Sequence, residues 1–263
     1  MSNPIGRMPA LFVGHGSPMN TIEENVWSRD LRSLGALLPR PRAILSVSAH
    51  WFVAGTFLTA EERPVTIHDF SGFPRKLHQM EYPAPGDPAL AARVVRLLGE
   101  MRASLRLDWG FDHGTWTVLH HFLPEADCPV VQLSIDKRMP PRGHFELGQA
   151  LAPLRDEGVL VMGSGNITHN LGYAISSAGQ GDLSTPGWAS RFDEAVRLAA
   201  SEYDLARLAR IIESPDGRQS HPIIDHYLPL LYAAGAASEK DEVSFPLEGF
   251  DMGSLSMRAI LFS

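Results

Sequence analysis

The sequence predicts one α/β domain over residues 1–263, with a central, mostly parallel or mixed sheet and helices on both faces. Three observations predict it. Short runs that are apolar throughout recur along the chain, as in strands covered on both faces. Amphipathic segments of helical period separate them, which is the alternation of an α/β fold. No repeat, low-complexity tract or linker-like composition divides the 263 residues.

The elements follow in order. Apolar runs at Ala10–Val13, Ala43–Ser48 and Thr56–Thr59 read as strands. Glu61–Pro88 is long and irregular, and loops of that length often serve as lids or substrate walls. Pro88–Met101 carries Leu90, Val94, Leu97 and Met101 at three- and four-residue spacing and reads as a helix. Thr115 is placed to cap a helix over Trp116–Phe122. Val130–Ser134 is the next strand, Phe145–Leu154 a helix and Val159–Met162 another strand. Ser176–Gly187 is a second irregular stretch. Ala189–Ala200, Tyr203–Ile212 and Ile223–Ala234 read as helices, and Met257–Phe262 as the last strand.

Composition narrows the function. Hydrophobic residues are 44 % and charged residues 20 %, enough for a full core. A net charge of −7 argues against nucleic acid or an anionic membrane as main partner. No apolar run reaches membrane-spanning length, and the N-terminal stretch Met1–Arg7 lacks the apolar core of a signal peptide, so the cytoplasm is the expected location. Cys128 is the single cysteine, which excludes an internal disulfide and a thiolate-based zinc knot. Any metal must be held by His, Asp or Glu.

Histidines supply the candidates. His15 follows the first strand between Gly14 and Gly16, and His50 closes the second strand beside Trp51. Imidazoles at the carboxyl ends of successive strands can converge on one ion. His169 ends the loop after Val159–Met162, as a ligand or a general base. The glycines before it, Gly163 and Gly165, fit neither the dinucleotide fingerprint nor the P-loop. His226 lies in Ser220-His-Pro-Ile-Ile-Asp-His-Tyr227, where Pro222 suits the first turn of a helix. A neutral imidazole there suits metal binding, with Asp225 as helix-dipole partner or hydrogen-bond partner of a ligand histidine. Asp112-His-Gly-Thr115 presents His113, which Asp112 would orient. His120 and His121 read as dipole or solvent partners. His68, His78 and His144 lie in loop-like contexts without a ligand role, although His68 or His78 can face substrate. Trp51, Phe73 and Trp116 are candidate aromatic walls, Trp116 fitting the core better. Arg75 and Lys76 read as solvated charge.

Five segments carry a resemblance: His-Gly-Ser-Pro-Met-Asn20, Ser-Ala-His-Trp51, Asp-His-Gly-Thr-Trp116, Gly-Ser-Gly-Asn-Ile-Thr-His-Asn170 and His-Pro-Ile-Ile-Asp-His-Tyr-Leu-Pro-Leu230. In this order they resemble the class III extradiol ring-cleavage dioxygenases, in the 4,5-DOPA dioxygenase-like branch, from about Pro9 to the C-terminal strand. The resemblance implies O₂ insertion beside the two hydroxyls of a catechol, giving a ring-opened semialdehyde. It implies His15 and His50 as metal ligands and His226 as the third. His169 is implied as acid/base and possible fourth ligand, and His113 as a residue beside substrate. One divalent ion per chain is expected. Oxygen-activating Fe(II) sites ordinarily hold two His and a carboxylate. An all-imidazole set suits Zn²⁺ as the bound ion, with Fe²⁺ required for dioxygenase activity. The expected partners are a small aromatic diol and O₂. A zinc hydrolase and a non-enzymatic metal-binding protein on the same fold are the alternatives.

Overall fold

The computed structural model describes residues 6–99 and 102–263. The described strands are β1 (Ala10–Gly14), β2 (Ala43–Val53), β3 (Thr56–Thr59), β4 (Ala103–Arg106), β5 (Val130–Asp136), β6 (Val159–Gly165), β7 (Val243–Leu247), β8 (Phe250–Asp251), β9 (Leu255–Ser256) and β10 (Ala259–Phe262). Eight form one sheet in the order β4-β3-β5-β2-β6-β1-β10-β7, while β8 and β9 make a separate hairpin. The centre β5-β2-β6-β1 is parallel; β10 and β7 join antiparallel at one side and β3 meets β5 antiparallel at the other. The sheet is therefore mixed, with helices on both faces, as expected.

Alternation along the strands creates two cores. Ala10 and Phe12 point to one face, with Leu45, Val47 and Val161. Leu11 and Val13 point to the other, with Ile44, Leu160 and Met162. The first face is covered by the helices Pro88–Leu98, Pro141–Leu151, Gly187–Ser201, Leu205–Ile211 and Leu228–Ala236. Every residue of Leu228–Ala236 is buried, which is why this segment is apolar all round. The second face is covered by Val26–Leu37 and His113–Phe122, with Leu77, Tyr82 and Ala84 from the long loop. No helix among the described residues is long and apolar enough to cross a membrane.

Several boundaries differ from expectation. The helix from Pro88 ends at Leu98, and Met101 lies outside the described residues. The expected helix Phe145–Leu154 starts earlier, at Pro141, and breaks at Ala152 before a single turn Pro153–Asp156. His144 thus sits inside a helix, not a loop, with Nδ1 2.9 Å from the Tyr232 hydroxyl. The first third of the expected irregular stretch from Ser176 is the end of a helix, Leu171–Gly179. The cap of His113–Phe122 is Asp112 rather than Thr115, because its carboxylate accepts the Thr115 N–H at 3.2 Å. The expected helix from Ile223 begins only at Leu228, so His226 lies in the turn before it and not in its first turns.

Candidate active site

The carboxyl ends of the central strands bring the histidines together. His15 follows β1, where Gly16 adopts a φ of +60° that a side chain would strain. His50 lies within β2 rather than closing it. Pairing of β2 with β6 stops at Ser48, and its register with β5 shifts between Val47 and Phe52. That irregularity frees the residue that turns toward the site. His113 is the first residue of its helix. His169 follows β6, its backbone N–H bonded to Ser220 O at 3.1 Å. His226 arrives in the turn that enters Leu228–Ala236.

Gly165 explains the spacing before His169. A Cβ there would lie 2.1 Å from the His226 carbonyl oxygen, and one on Gly163 would lie 2.2 Å from that of Pro229. These glycines admit the His226 turn and the helix behind it to the sheet, and do not cradle a phosphate. Gly165→Ala is expected to push His226 outward, costing roughly 1–3 kcal/mol by overpacking. Denaturant melts and metal titration would show both effects together; an unchanged midpoint would refute the account.

The imidazoles form one cluster. Nitrogens of His15, His50 and His113 all lie within 4.8 Å of one another. Ring centroids of His226 are 5.2 Å from His15 and 5.0 Å from His50. His169 stacks flat on His226 at 3.5 Å. The structure thus brings all five expected residues together, but the tightest trio contains His113 rather than His226 or His169.

Their partners fix where the protons sit. Ser164 Oγ donates to Gly114 O at 2.5 Å, so it accepts from His15 Nδ1 at 3.0 Å. His226 Nδ1 donates to Asp225 Oδ1 at 2.9 Å, which realises the hydrogen-bond role expected of Asp225. His50 Nδ1 lies 3.2 Å from Asp69 Oδ2. The rings of His15 and His226 therefore carry their hydrogen on Nδ1 and, when neutral, a bare Nε2; a hydrogen on His50 Nδ1, facing the Asp69 carboxylate, leaves that ring the same. His15 Nε2 and His50 Nε2 are 3.2 Å apart. Two lone pairs at that distance repel unless a proton or a cation lies against them. The donor set therefore fits a metal ion.

Electrostatics favour the neutral rings. Burial, reinforced by neighbouring imidazoles, lowers His15 and His226 well below the ordinary range. Burial takes His113 down to about 4 and His169 to about 3, with other histidines adding to it. His50 goes the other way: burial opposes it, but Asp69, Asp112 and Asp225 raise it. Asp112, buried and holding Ser48 Oγ at 2.6 Å, is raised to about 6 by desolvation.

Three of the other histidines bond to backbone carbonyls. His68 Nε2 donates to Met80 O, His121 Nε2 to Asn20 O and His221 Nε2 to Ile167 O. His78 is exposed, as are Arg75 and Lys76. Trp116 is fully buried with Nε1 bonded to Ile67 O, so it belongs to the core. Trp51 is buried and stacks on Trp109 at 5.2 Å instead of walling the site. The aromatic side chain at the imidazoles is Phe70, edge-on to His113 at 5.4 Å and backed by Phe73 at 5.3 Å. Phe70 and Asp69 escaped sequence reasoning; their only signal was membership of the long loop.

Residues 10–254 match the family described as the catalytic LigB subunit of aromatic ring-opening dioxygenase. The chain belongs to this LigB family. Its relatives agree with the match. A 4,5-DOPA dioxygenase extradiol of Escherichia coli K12 is 49 % identical over 258 residues, covering 97 % of this chain and 94 % of the relative. Proteins of the same name from Beta vulgaris and Portulaca grandiflora are 37 % and 36 % identical, covering 96 % and 97 % of this chain and 95 % of each relative. The crystal structure of an uncharacterized E. coli K12 protein superposes with a TM-score of 0.84 at 45 % identity, covering 98 % of this chain and all of that one. This LigB-family chain is an extradiol ring-cleaving dioxygenase, an enzyme of aromatic substrates and O₂, and the hydrolase and non-enzymatic alternatives give way.

Proposed function

We propose that the protein opens the ring of a substituted catechol of the DOPA type at one divalent metal ion. His15, His50 and His226 hold the ion, and His113 and His169 flank it. The observation that supports this most directly is the facing pair of Nε2 atoms of His15 and His50, 3.2 Å apart. DOPA enters as substrate class through the names of the relatives. The expected working metal is Fe²⁺, with Zn²⁺ as the ion that an imidazole set retains on isolation. With zinc, His169 completes four imidazoles; with iron it is left to handle protons. We place the enzyme in the cytoplasm, where a chain without a disulfide is at home.

A bound ion supplies Lewis acidity that lowers the pKa of a coordinated diol and, as iron, a redox partner for O₂. The chain's residues do the rest. Ser164, Asp69 and Asp225 keep Nδ1 of His15, His50 and His226 protonated, so that Nε2 faces the centre. His169, partly open to solvent, takes a diol proton and returns it to the opening ring. His113, held at the helix start by Asp112, hydrogen-bonds an oxygen of the reacting pair. Phe70 and Phe73 give the substrate ring an aromatic wall.

Anaerobic loading with Fe²⁺, then DOPA or another catechol and air, should give O₂ uptake and a yellow ring-opened product. The zinc-loaded protein should give neither. A broad catechol panel without O₂ uptake, with iron confirmed bound, would overturn the proposal.

A further inference from the structure

Asp69 sits in the long loop, and nothing in its local sequence marks it. Its side chain is 20 % exposed and is wedged between two imidazoles that come from different elements. Oδ2 lies 3.2 Å from His50 Nδ1, and Oδ1 lies 3.0 Å from His113 Nδ1. Oδ1 also accepts the backbone N–H of His113 at 2.9 Å, which locks the loop to the helix start. His113 Nδ1 makes no well-aligned hydrogen bond at this distance. At these distances the position of the proton still decides the sign of the interaction. A bare Nδ1 would press its lone pair on a carboxylate oxygen; a protonated one is attracted. His15 and His226 have separate acceptors, Ser164 and Asp225. His50 and His113 share one, with their rings 3.8 Å apart.

We propose that Asp69 is a positioning residue: one carboxylate, delivered by the loop, sets the Nδ1–H tautomer of His50 and of His113 together. It thereby couples metal retention at His50 to the orientation of the substrate-side imidazole. This rests on the reading of His50 as a ligand and His113 as a substrate neighbour. Partners of ligand histidines act in this way when they fix ring orientation and basicity. Phe70, the next residue, brings the aromatic wall, so seating of the loop assembles both features at once.

The test is Asp69→Asn, which keeps the shape but offers an NH₂ to one of the two rings. Long-range ¹H–¹⁵N spectra of the imidazoles report tautomers directly, and chelator competition reports zinc affinity. In Asp69→Asn, at least one of His50 and His113 should move toward Nε2–H, while His15 and His226 stay as they were. Zinc affinity should fall roughly 10- to 100-fold. Arg75→Ala, on the same loop but exposed, should change neither. A folded Asp69→Asn protein with unchanged tautomers overturns the proposal, whether or not zinc binding weakens. If the variant does not fold, the parent protein decides: His50 or His113 found as Nε2–H in the metal-free parent overturns it, and both found as Nδ1–H supports it. Failure of the parent to bind metal or open catechols would overturn the proposed function instead, and leaves the tautomer measurement readable.

Discussion

His50→Ala is expected to leave a folded protein that is isolated without its metal and takes up no O₂ with any catechol. His50 stands where β2 outruns its pairing with β6, so removing the imidazole disturbs no ladder. What disappears is one of the two facing Nε2 atoms and the partner of Asp69 Oδ2. The change therefore falls on ion binding rather than on the core. Metal content by mass spectrometry on the purified protein, beside a thermal melt, separates the two. His120→Ala, a half-buried imidazole at the far end of its helix, serves as control and should retain metal. Full metal occupancy in folded His50→Ala would remove this residue from the ligand set.

Arg155→Ala should be the most damaging single change to stability. The guanidinium is 1 % exposed and spends its donors on groups from four places: Met8 O at 2.6 Å, Ala236 O at 3.0 Å, Phe262 O at 3.1 Å and the Asp241 carboxylate at 2.5 and 3.1 Å. It ties the segment leading into β1, the end of β10 and the end of the buried helix Leu228–Ala236. Truncation strands Asp241, whose side chain is 5 % exposed, and three carbonyls. Removing one partner of a buried pair costs about 3–5 kcal/mol. For a chain of this size that is on the order of ten degrees in melting temperature. The pH dependence gives a second readout. Burial works against the Asp241 carboxylate, but Arg155 and Ser238 hold its pKa below the ordinary value. Its contribution is therefore present above the unfolded-state pKa and fades as pH falls through the lower folded one. Arg155→Ala should lose most of that acid-dependent part. A drop below about 1 kcal/mol would show the pair to be dispensable.

The histidines were legible because each stands beside residues with local meaning: glycines at His15, an apolar strand run ahead of His50, a helix start at His113. Central strands were legible because burial on both faces makes them predominantly apolar. β4 and β7 were not. They are the two edges of the sheet, where one flank is free; Ala103–Arg106 has three exposed residues, and Val243–Leu247 contains Pro246. Pro222 reads as a helix start, yet the backbone turns for another five residues because the His226 carbonyl has to meet Gly165. Its oxygen accepts the Asn166 N–H at 2.9 Å. That bond is between segments sixty residues apart and leaves no periodic trace. Asp69 is the same kind of case. Its partners come from β2 and a helix, and an acidic residue in a polar loop is unremarkable until those partners are in place.

The long loop also sets a rule for re-engineering. The sheet ends supply His15, His50 and His169, while Phe70 and Phe73 come from the long loop between β3 and the helix Pro88–Leu98. A change of aromatic wall is therefore best made at Phe70 and Phe73 alone, because Leu77, Tyr82 and Ala84 of the same loop pack in the core. Asp69 limits that freedom: a grafted loop without a carboxylate at this position carries a new wall into a centre whose His50 and His113 no longer agree on where their protons belong.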